Sequence, residues 1–433
     1  MTVPRVLLLL PAAGYRNKGF LAAAQKLGAE VITAADYCHR LAPLMGLSPI
    51  FSLHFDQPEI AAEQALAALG RRVDAVLAAD DHGLELAALL RQKLGLPGNP
   101  LHAVRITRDK LAFRQLLMTH GFNCPHFQLA INAADGLALG PSLAYPVVVK
   151  ARRLSASRGV IRADDAASFA DALSRVRAIQ TGADRDAAQL GLIVEAFIHG
   201  REYALEGLLE NGALRVLALF DKPDPLDGPY FEETLYITPS RLPADTQAAI
   251  AAEVQRACAL AGLTDGPLHA EMRVNEHGVW LLEVAARSIG GLCGRVLDQQ
   301  LGMSLEELIL RHALNTPLPM LTHSDASGVM MIPIPERGIF HGATGLMEAR
   351  AVAGVTDIQI TAQPGQLLAP PPEGAAYLGF IFARAADPEA AEAALRAAHA
   401  QLGFDFQAAL PLTWAGLARH DGAALIQTAT SAP

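Results

Sequence analysis

The pattern of apolar and polar positions changes character along the chain. From Pro4 to about Pro100, short apolar runs alternate with helical stretches. Val6–Leu10, Glu30–Ala34 and Ala75–Ala79 read as strands, and Lys18–Leu27, Glu59–Leu69 and Gly83–Leu94 as helices. That alternation predicts a doubly wound parallel sheet. Leu96-Pro-Gly-Asn-Pro100 breaks the pattern, and one helix is predicted over Thr107–His120, with Thr107 as its cap. From Pro125 strands dominate: Phe127–Ala130, Pro146–Lys150, Gly159–Ile161, Leu192–Phe197, Glu202–Leu209 and Leu214–Phe220. Helices are predicted at Ala166–Arg177 and Asp245–Ala261. Asn275-Glu-His-Gly278 separates two alternating runs and predicts a β-hairpin. After Asn315–Pro319, the segments Gly328–Pro333, Thr344–Glu348 and Ala376–Ala385 read as strands of a small antiparallel module. An Ala-rich helix, Pro388–Leu402, and a tail at Ala429–Pro433 expected to fray complete the chain. The expected division is 1–104, 105–319 and 320–433.

Composition narrows the picture. A chain of 433 residues with 51% apolar and 18% charged residues carries material for two or three cores. The formal charge of −9, with no long Lys/Arg run, argues against nucleic acid as the main partner. Cys38, Cys124, Cys258 and Cys293 fit neither a disulfide framework nor a zinc knuckle, so a reducing cytoplasm is expected. Val6–Leu10 is too short, and too poorly flanked by positive charge, for a secretory leader. No run reaches transmembrane length, so no membrane association is expected.

Four constellations carry candidate chemistry. Glu271, in His269-Ala-Glu-Met-Arg273, and Glu283, in Leu281-Leu-Glu-Val-Ala-Ala-Arg287, place one carboxylate on each strand of the hairpin. Two carboxylates facing one space suit a hard cation such as Mg²⁺, and Arg287 adds preorganised positive charge. Ser288-Ile-Gly-Gly-Leu-Cys-Gly294 follows and is expected to begin a helix whose free N–H groups suit an anion; the plainer reading is a hairpin with exposed charges and a glycine turn. Lys150 ends an apolar strand and needs an anion or water. The donor-rich turn Ser157-Arg158-Gly159 comes after it and can cradle phosphate oxygens; its plainer reading is a solvated hairpin tip. Glu195-Ala-Phe197-Ile198-His-Gly-Arg-Glu202 offers strand-edge groups for a purine and a carboxylate for ribose hydroxyls, or simply a hairpin with solvated acids. Lys110 heads a helix within reach of a phosphate, or of water. His269 shares the Glu271 face by alternation, with a structural role as plausible as a metal one.

The order of these pieces resembles the ATP-grasp superfamily over about Arg105 to Asn315. The Gly266–Arg273 and Leu281–Gly291 segments look most like its L-amino-acid ligase and carnosine-synthase-like branch. The resemblance implies an α/β fold of the α+β ATP-grasp kind: an N-terminal parallel-sheet domain, a central ATP-grasp domain with a mobile lid at about 125–196, and a C-terminal module. It implies ATP with Mg²⁺, or Mn²⁺ in its place. Lys110, Lys150, Ser157, Arg158 and Gly159 would meet the phosphates. Glu195, Phe197 and Ile198 would meet adenine, Glu202 ribose, and Glu271 and Glu283 the metal. A substrate carboxylate would become an acyl phosphate, and an amine would displace phosphate to give an amide. Arg287 would steady both steps, and Ser288, Gly290, Gly291 and Glu232 would face the acid or amine. Ala285 stands where relatives often carry an asparagine metal ligand, and the lid turn has one glycine where many have more. Alternatives are a carboxylase-like or purine-pathway enzyme activating bicarbonate or formate, or a non-catalytic ATP-binding module. A homodimer is the default assembly.

Overall fold

A computed structural model of the chain describes residues 3–11, 14–36, 51–183, 187–318, 320 and 325–408. The expectations for Cys38, Pro319 and Ala429–Pro433 fall outside them. The first elements are β1 (Arg5–Leu10), α1 (Asn17–Lys26), β2 (Glu30–Ala35), β3 (Phe51–Ser52), α2 (Pro58–Leu69), β4 (Ala75–Ala78) and α3 (Leu84–Leu94). Their strands form a parallel sheet in the order β3-β2-β1-β4. From Val6 to Leu10 β1 is apolar, because both of its faces are covered there. Leu7 and Leu9 pack with Ala61, Ala65 and Leu86 of α2 and α3, while Val6, Leu8 and Leu10 share a core with Phe20 and Ala23 of α1. The loops after β1 and β4 reach the cavity described below, at the carboxyl edge where open parallel sheets bind ligands.

Next come α4 (Leu101–Arg108) and α5 (Lys110–Thr119). The single helix expected over Thr107–His120 is thus two. Asp109 interrupts it: its carboxylate accepts from the Leu111 N–H at 3.0 Å and pairs with Arg152. A side chain that caps a new helix competes with continuing the old one.

A four-stranded antiparallel layer follows, built from β5 (Phe127–Ala130), α6 (Ala133–Leu139), β6 (Val147–Ala151), β7 (Val160–Ala163), α7 (Ala166–Ala183) and β8 (Leu192–Ala196). Its strand order is β5-β8-β6-β7. Phe169, Leu173 and Val176 of α7 cover one face, against Val147, Val149 and Val194.

The remaining elements begin with β9 (Arg201–Glu210), β10 (Ala213–Asp221), β11 (Leu235–Thr238), α8 (Ala244–Ala261), β12 (Gly266–Asn275) and β13 (Gly278–Ala285). They continue with α9 (Asp298–Leu301), α10 (Leu305–Ala313), β14 (Ala326–Ile332), β15 (Gly338–Thr344), α11 (Leu346–Arg350) and β16 (Val355–Ile360). β17 (Leu367–Leu368), β18 (Gly379–Ala385), α12 (Pro388–His399) and β19 (Gly403–Ala408) complete them. An eight-stranded sheet runs in the order β13-β12-β9-β10-β11-β14-β18-β16, and β17-β15-β19 form a small sheet of their own. Strands on both sides of residue 319 therefore share one sheet, so the expected boundary there is no break in hydrogen bonding. The strand expected over Thr344–Glu348 is the end of β15 and the start of α11, separated by Gly345 at φ +75°. The class is mixed α/β, parallel at the N-terminus and antiparallel beyond, as expected.

Alternation on the large sheet separates core from site. Tyr203, Leu205, Leu268, Ala270 and Met272 pack with Ile250 and Val254 of α8. Glu202, Glu206, His269, Glu271 and Arg273 take the intervening positions on β9 and β12. Gly291, just beyond β13, has φ +60°, and a Cβ there would lie 2.9 Å from the Phe380 ring on β18. Gly291→Ala is expected to destabilise the protein by at least about 2 kcal/mol, from the left-handed backbone and the displaced ring together. Urea unfolding checks it.

Candidate active site

One cavity is lined by the large sheet, the four-stranded layer and the loops after β1 and β4. Of the residues singled out from sequence, Lys110, Lys150, Ser157, Glu195, Phe197, Ile198, Glu202, Glu271, Glu283, Arg287, Ser288, Gly290 and Gly291 line it. Arg158, Gly159 and Glu232 are not among its lining residues. The Gly159 N–H donates to the Pro372 carbonyl at 2.9 Å, so it is not available to a phosphate. Ala156 and Ser157 do reach the cavity, both with φ +55°. Non-glycine residues in that region concentrate at functional sites. Glu232 takes a backbone hydrogen bond from Ile334, and its neighbour Glu233 takes the cavity position instead.

Glu271 and Glu283 sit directly opposite each other on β12 and β13. The register then shifts, with Met272 opposite Leu281. The extra residue is Leu282, which lines the cavity together with Glu283, while Leu281 packs in the core. Strict alternation would put Leu281 and Glu283 on one face. The bulge turns the carboxylate into the cavity, as bulges beside functional sites do. Lys110 lies 3.7 Å from Glu283 and donates to the Leu154 carbonyl at 2.6 Å.

Sequence reasoning missed the charge at the centre. Lys222 is 5% exposed, with its ammonium 2.8 Å from Glu202, 2.7 Å from Glu233 and 3.0 Å from Glu271. Oxygens of those three carboxylates lie within 4.8 Å of one another. Burial opposes the lysine's charge, but the three acids overcome it and raise its pKa well above the usual value. Glu233 is pushed up to about 7 by burial and by Glu271, against the pull of Lys222. Burial would also raise Glu271, yet Lys222 and His269 hold it well below the carboxylate range. His269 bridges Glu206 at 3.2 Å and Glu271 at 3.4 Å. Burial disfavours its cation, but the two acids lift it to about 9. The signal for Lys222 was present: it follows the apolar run Leu217–Phe220, with Asp221 between, much as Lys150 ends Val147–Val149.

Glu195 is 1% exposed and holds Lys150 at 2.5 Å and Arg114 at 2.8 Å. It positions the lysine ammonium at the cavity wall rather than waiting open for a base. Burial pushes its pKa up, but Arg114 and Lys150 prevail and hold it at about 2. The Ala196 and Phe197 N–H groups, expected to be free, donate to His126 at 2.9 Å and Pro146 at 3.0 Å. The Phe197 ring lies between Arg162 and Arg273, 4.4 and 4.9 Å from their guanidinium carbons. Glu202 is shared by Lys222 and by Arg273 at 3.2 Å. Arg287 bonds Asp81 at 2.8 Å; burial opposes its charge, but Asp81 and Glu283 raise its pKa. Ala285, opposite His269, presents a buried methyl group where a further ligand was considered.

This geometry can be set beside known proteins. Residues 143–296 match the ATP-grasp domain model, and residues 330–407 match the model of L-amino acid ligase C-terminal domain 2. The chain carries an ATP-grasp domain followed by an L-amino acid ligase C-terminal domain. The chain is 30% identical to carnosine synthase 1 of Gallus gallus over 303 residues, 66% of its own length and 32% of the relative's. It therefore spans about a third of that protein. It is 24% identical to the alanine–anticapsin ligase of Bacillus subtilis (strain 168), covering 66% of this chain and 64% of the relative. The crystal structure of an L-amino acid ligase from Bacillus licheniformis superposes with a TM-score of 0.78 at 26% identity, over 94% of this chain and all of that one. Among the described residues, no helix is long and apolar enough to cross a membrane.

Two outcomes are expected. Lys222→Met leaves one buried and two half-buried carboxylates without their cation and should lower stability by about 3 kcal/mol at neutral pH. The deficit should shrink towards pH 5, because protonation relieves the acids; urea unfolding at both pH values measures it. For Glu195 the folded pKa, about 2, lies below the unbound value of 4.5. Its contribution is complete above about pH 4.5 and is lost as the pH falls to about 2. Glu195→Gln should start lower by about 3 kcal/mol and decline less steeply through that acid window.

Proposed function

We propose that the protein is an ATP-dependent carboxylate–amine ligase. It activates a substrate carboxylate as an acyl phosphate, and an amine displaces phosphate to form an amide, a dipeptide where both substrates are amino acids. The observation that carries this reading is the cross-strand pair Glu271–Glu283 in a cavity whose other walls hold Lys110, Lys150 and Arg287.

The donor set fits a hard divalent cation, since both glutamates offer carboxylate oxygens from one wall. Glu271 and Glu283 would hold Mg²⁺, or Mn²⁺. The bound ion would neutralise charge on the triphosphate. The Glu202–Glu233–Glu271 group is already balanced by Lys222, which favours the Glu271–Glu283 pair as the metal position. Lys150, aimed by Glu195, and Lys110, anchored by Leu154, would meet phosphate oxygens. Ser157 would close over them from the turn between β6 and β7. The backbone of Phe197 and Ile198 would meet the base, and Glu202 the ribose. Arg287, fixed by Asp81, would face charge on the transferring phosphoryl group and on the tetrahedral carbon that follows. Ser288 and the Gly290-Gly291 turn lie beyond it, on the side of the acid and amine.

A carboxylase-like enzyme would share the nucleotide half of this cavity. The L-amino acid ligase C-terminal domain and the likeness to an L-amino acid ligase over nearly the whole chain favour the amide-forming reading. The test is Glu283→Gln. ATP binding by calorimetry should persist within about tenfold, while ADP formation with amino-acid pairs should fall by at least about a hundredfold. Unchanged ADP formation would remove Glu283 from the mechanism. Turnover that depends on bicarbonate instead of an amine would replace the reading.

A further inference from the structure

The cavity has an end away from the nucleotide, where the loop after β1 meets the Ser288–Gly291 turn and Tyr377. Tyr15 and Arg16 of that loop line it. Tyr15 accepts the Tyr377 N–H at 3.3 Å, which ties the loop to the C-terminal strands. Arg16 is only 8% exposed. Its Nε donates to Glu306 at 2.8 Å, and its guanidinium carbon lies 5.0 Å from the centre of the Phe20 ring. Its Nη1 donates to the Ser288 hydroxyl, and to the Ile289 carbonyl at 3.5 Å. Its Nη2 is enclosed and has no hydrogen-bond partner among the described residues.

Arg287 grips the other side of the same serine. Its Nη1 donates to the Ser288 carbonyl at 3.0 Å while Asp81 holds its Nε. Two guanidinium groups thus flank one residue, each held from behind by an acid. They differ in what lies ahead. The charge of Arg287 acts on Glu283 and Glu271 at the metal and phosphate wall. Arg16 comes from the N-terminal sheet and sits against Ser288, Ile289 and Phe20.

The chemistry of the proposed reaction asks for such a group. Ligation consumes the carboxylate of one substrate. If the amine substrate is itself an amino acid, its own carboxylate survives and must be matched inside the cavity. Lys110, Lys150 and Arg287 are committed to the phosphate side. Arginine presents planar, paired donors that suit a carboxylate better than lysine's single ammonium. We infer that Arg16 receives the free carboxylate of the amine substrate, which takes the place of the Ser288 hydroxyl at Nη1 and engages the partnerless Nη2 beside it. The acceptor is then an amino acid rather than a simple amine. Glu306 and Phe20 fix the guanidinium plane, so the loop of the N-terminal domain takes part in selecting the acceptor. This rests on the ligase reading above.

The experiment compares amino acids with their carboxamides as acceptors, at saturating ATP and acid, in the full-length protein. The wild type should favour each amino acid over its amide by at least about a hundredfold in kcat/KM. Arg16→Met should raise KM for the amino acid at least about tenfold and leave KM for ATP near its original value. It should also erase most of the preference over the amide, and Arg16→Lys should restore part of it. Equal use of acid and amide by the wild type would overturn the inference, with no variant required. So would an Arg16→Met effect of the same size on both acceptors, which marks Arg16 as a brace between loops. Absence of ADP formation with every acid–amine pair would overturn the ligase reading itself, and this inference with it.

Discussion

Lys222 sits with its ammonium between Glu202, Glu233 and Glu271, and the rest of the site is arranged around that charge. Three carboxylates cannot share a buried space unless a cation or protons balance them. The lysine supplies one positive charge, Glu233 tends to keep a proton, and Glu271 stays ionised against a cationic His269. The acids reach this point from three different strands or loops, so the balance also ties β9, β12 and the segment before β11 together. A buried ion cluster is weak evidence for stability by itself. Here it fixes the direction of side chains that line the cavity.

The same logic recurs at each wall. Lys150 and Arg114 share Glu195; Arg287 is held by Asp81; Arg16 is held by Glu306. In each case an acid behind the cation fixes its position, and Lys150, Arg287 and Arg16 border the cavity. A cation held this way needs little reorganisation when an anionic substrate arrives, which is the usual source of electrostatic advantage in enzymes. Asp81 and Arg16 come from loops of the N-terminal sheet. The cavity therefore draws its charges from segments more than two hundred residues apart in sequence.

Much of the fold was legible in the chain because its signals are local. β1 is apolar because it is covered on both faces, and the hairpin at Asn275–Gly278 follows from its turn and flanking alternation. The Glu271–Glu283 pairing could be read for the same reason, as could the apolar strand ending in Lys150. Local signals also misled. A continuous helix across Asp109 fits the periodicity, but the Asp109 carboxylate starts a second helix and binds Arg152 across the fold. Glu232 and Glu233 are adjacent in a loop, and sequence offered no parity rule to choose between them.

What the sequence determined by itself was the set of elements, the hairpin that carries the paired carboxylates, and the lysines at the ends of apolar strands. Each of these depends on residues within a few positions of one another. Tertiary structure alone decided the bulge at Leu282 that turns Glu283 inward, the trio of acids around Lys222, and the commitment of Glu195 to Lys150 and Arg114. It also brought Arg16 beside Ser288, 272 positions away. These depend on which surfaces pack together. Charge compensation in a buried space is set by distance in three dimensions, and the order of residues along the chain does not record it.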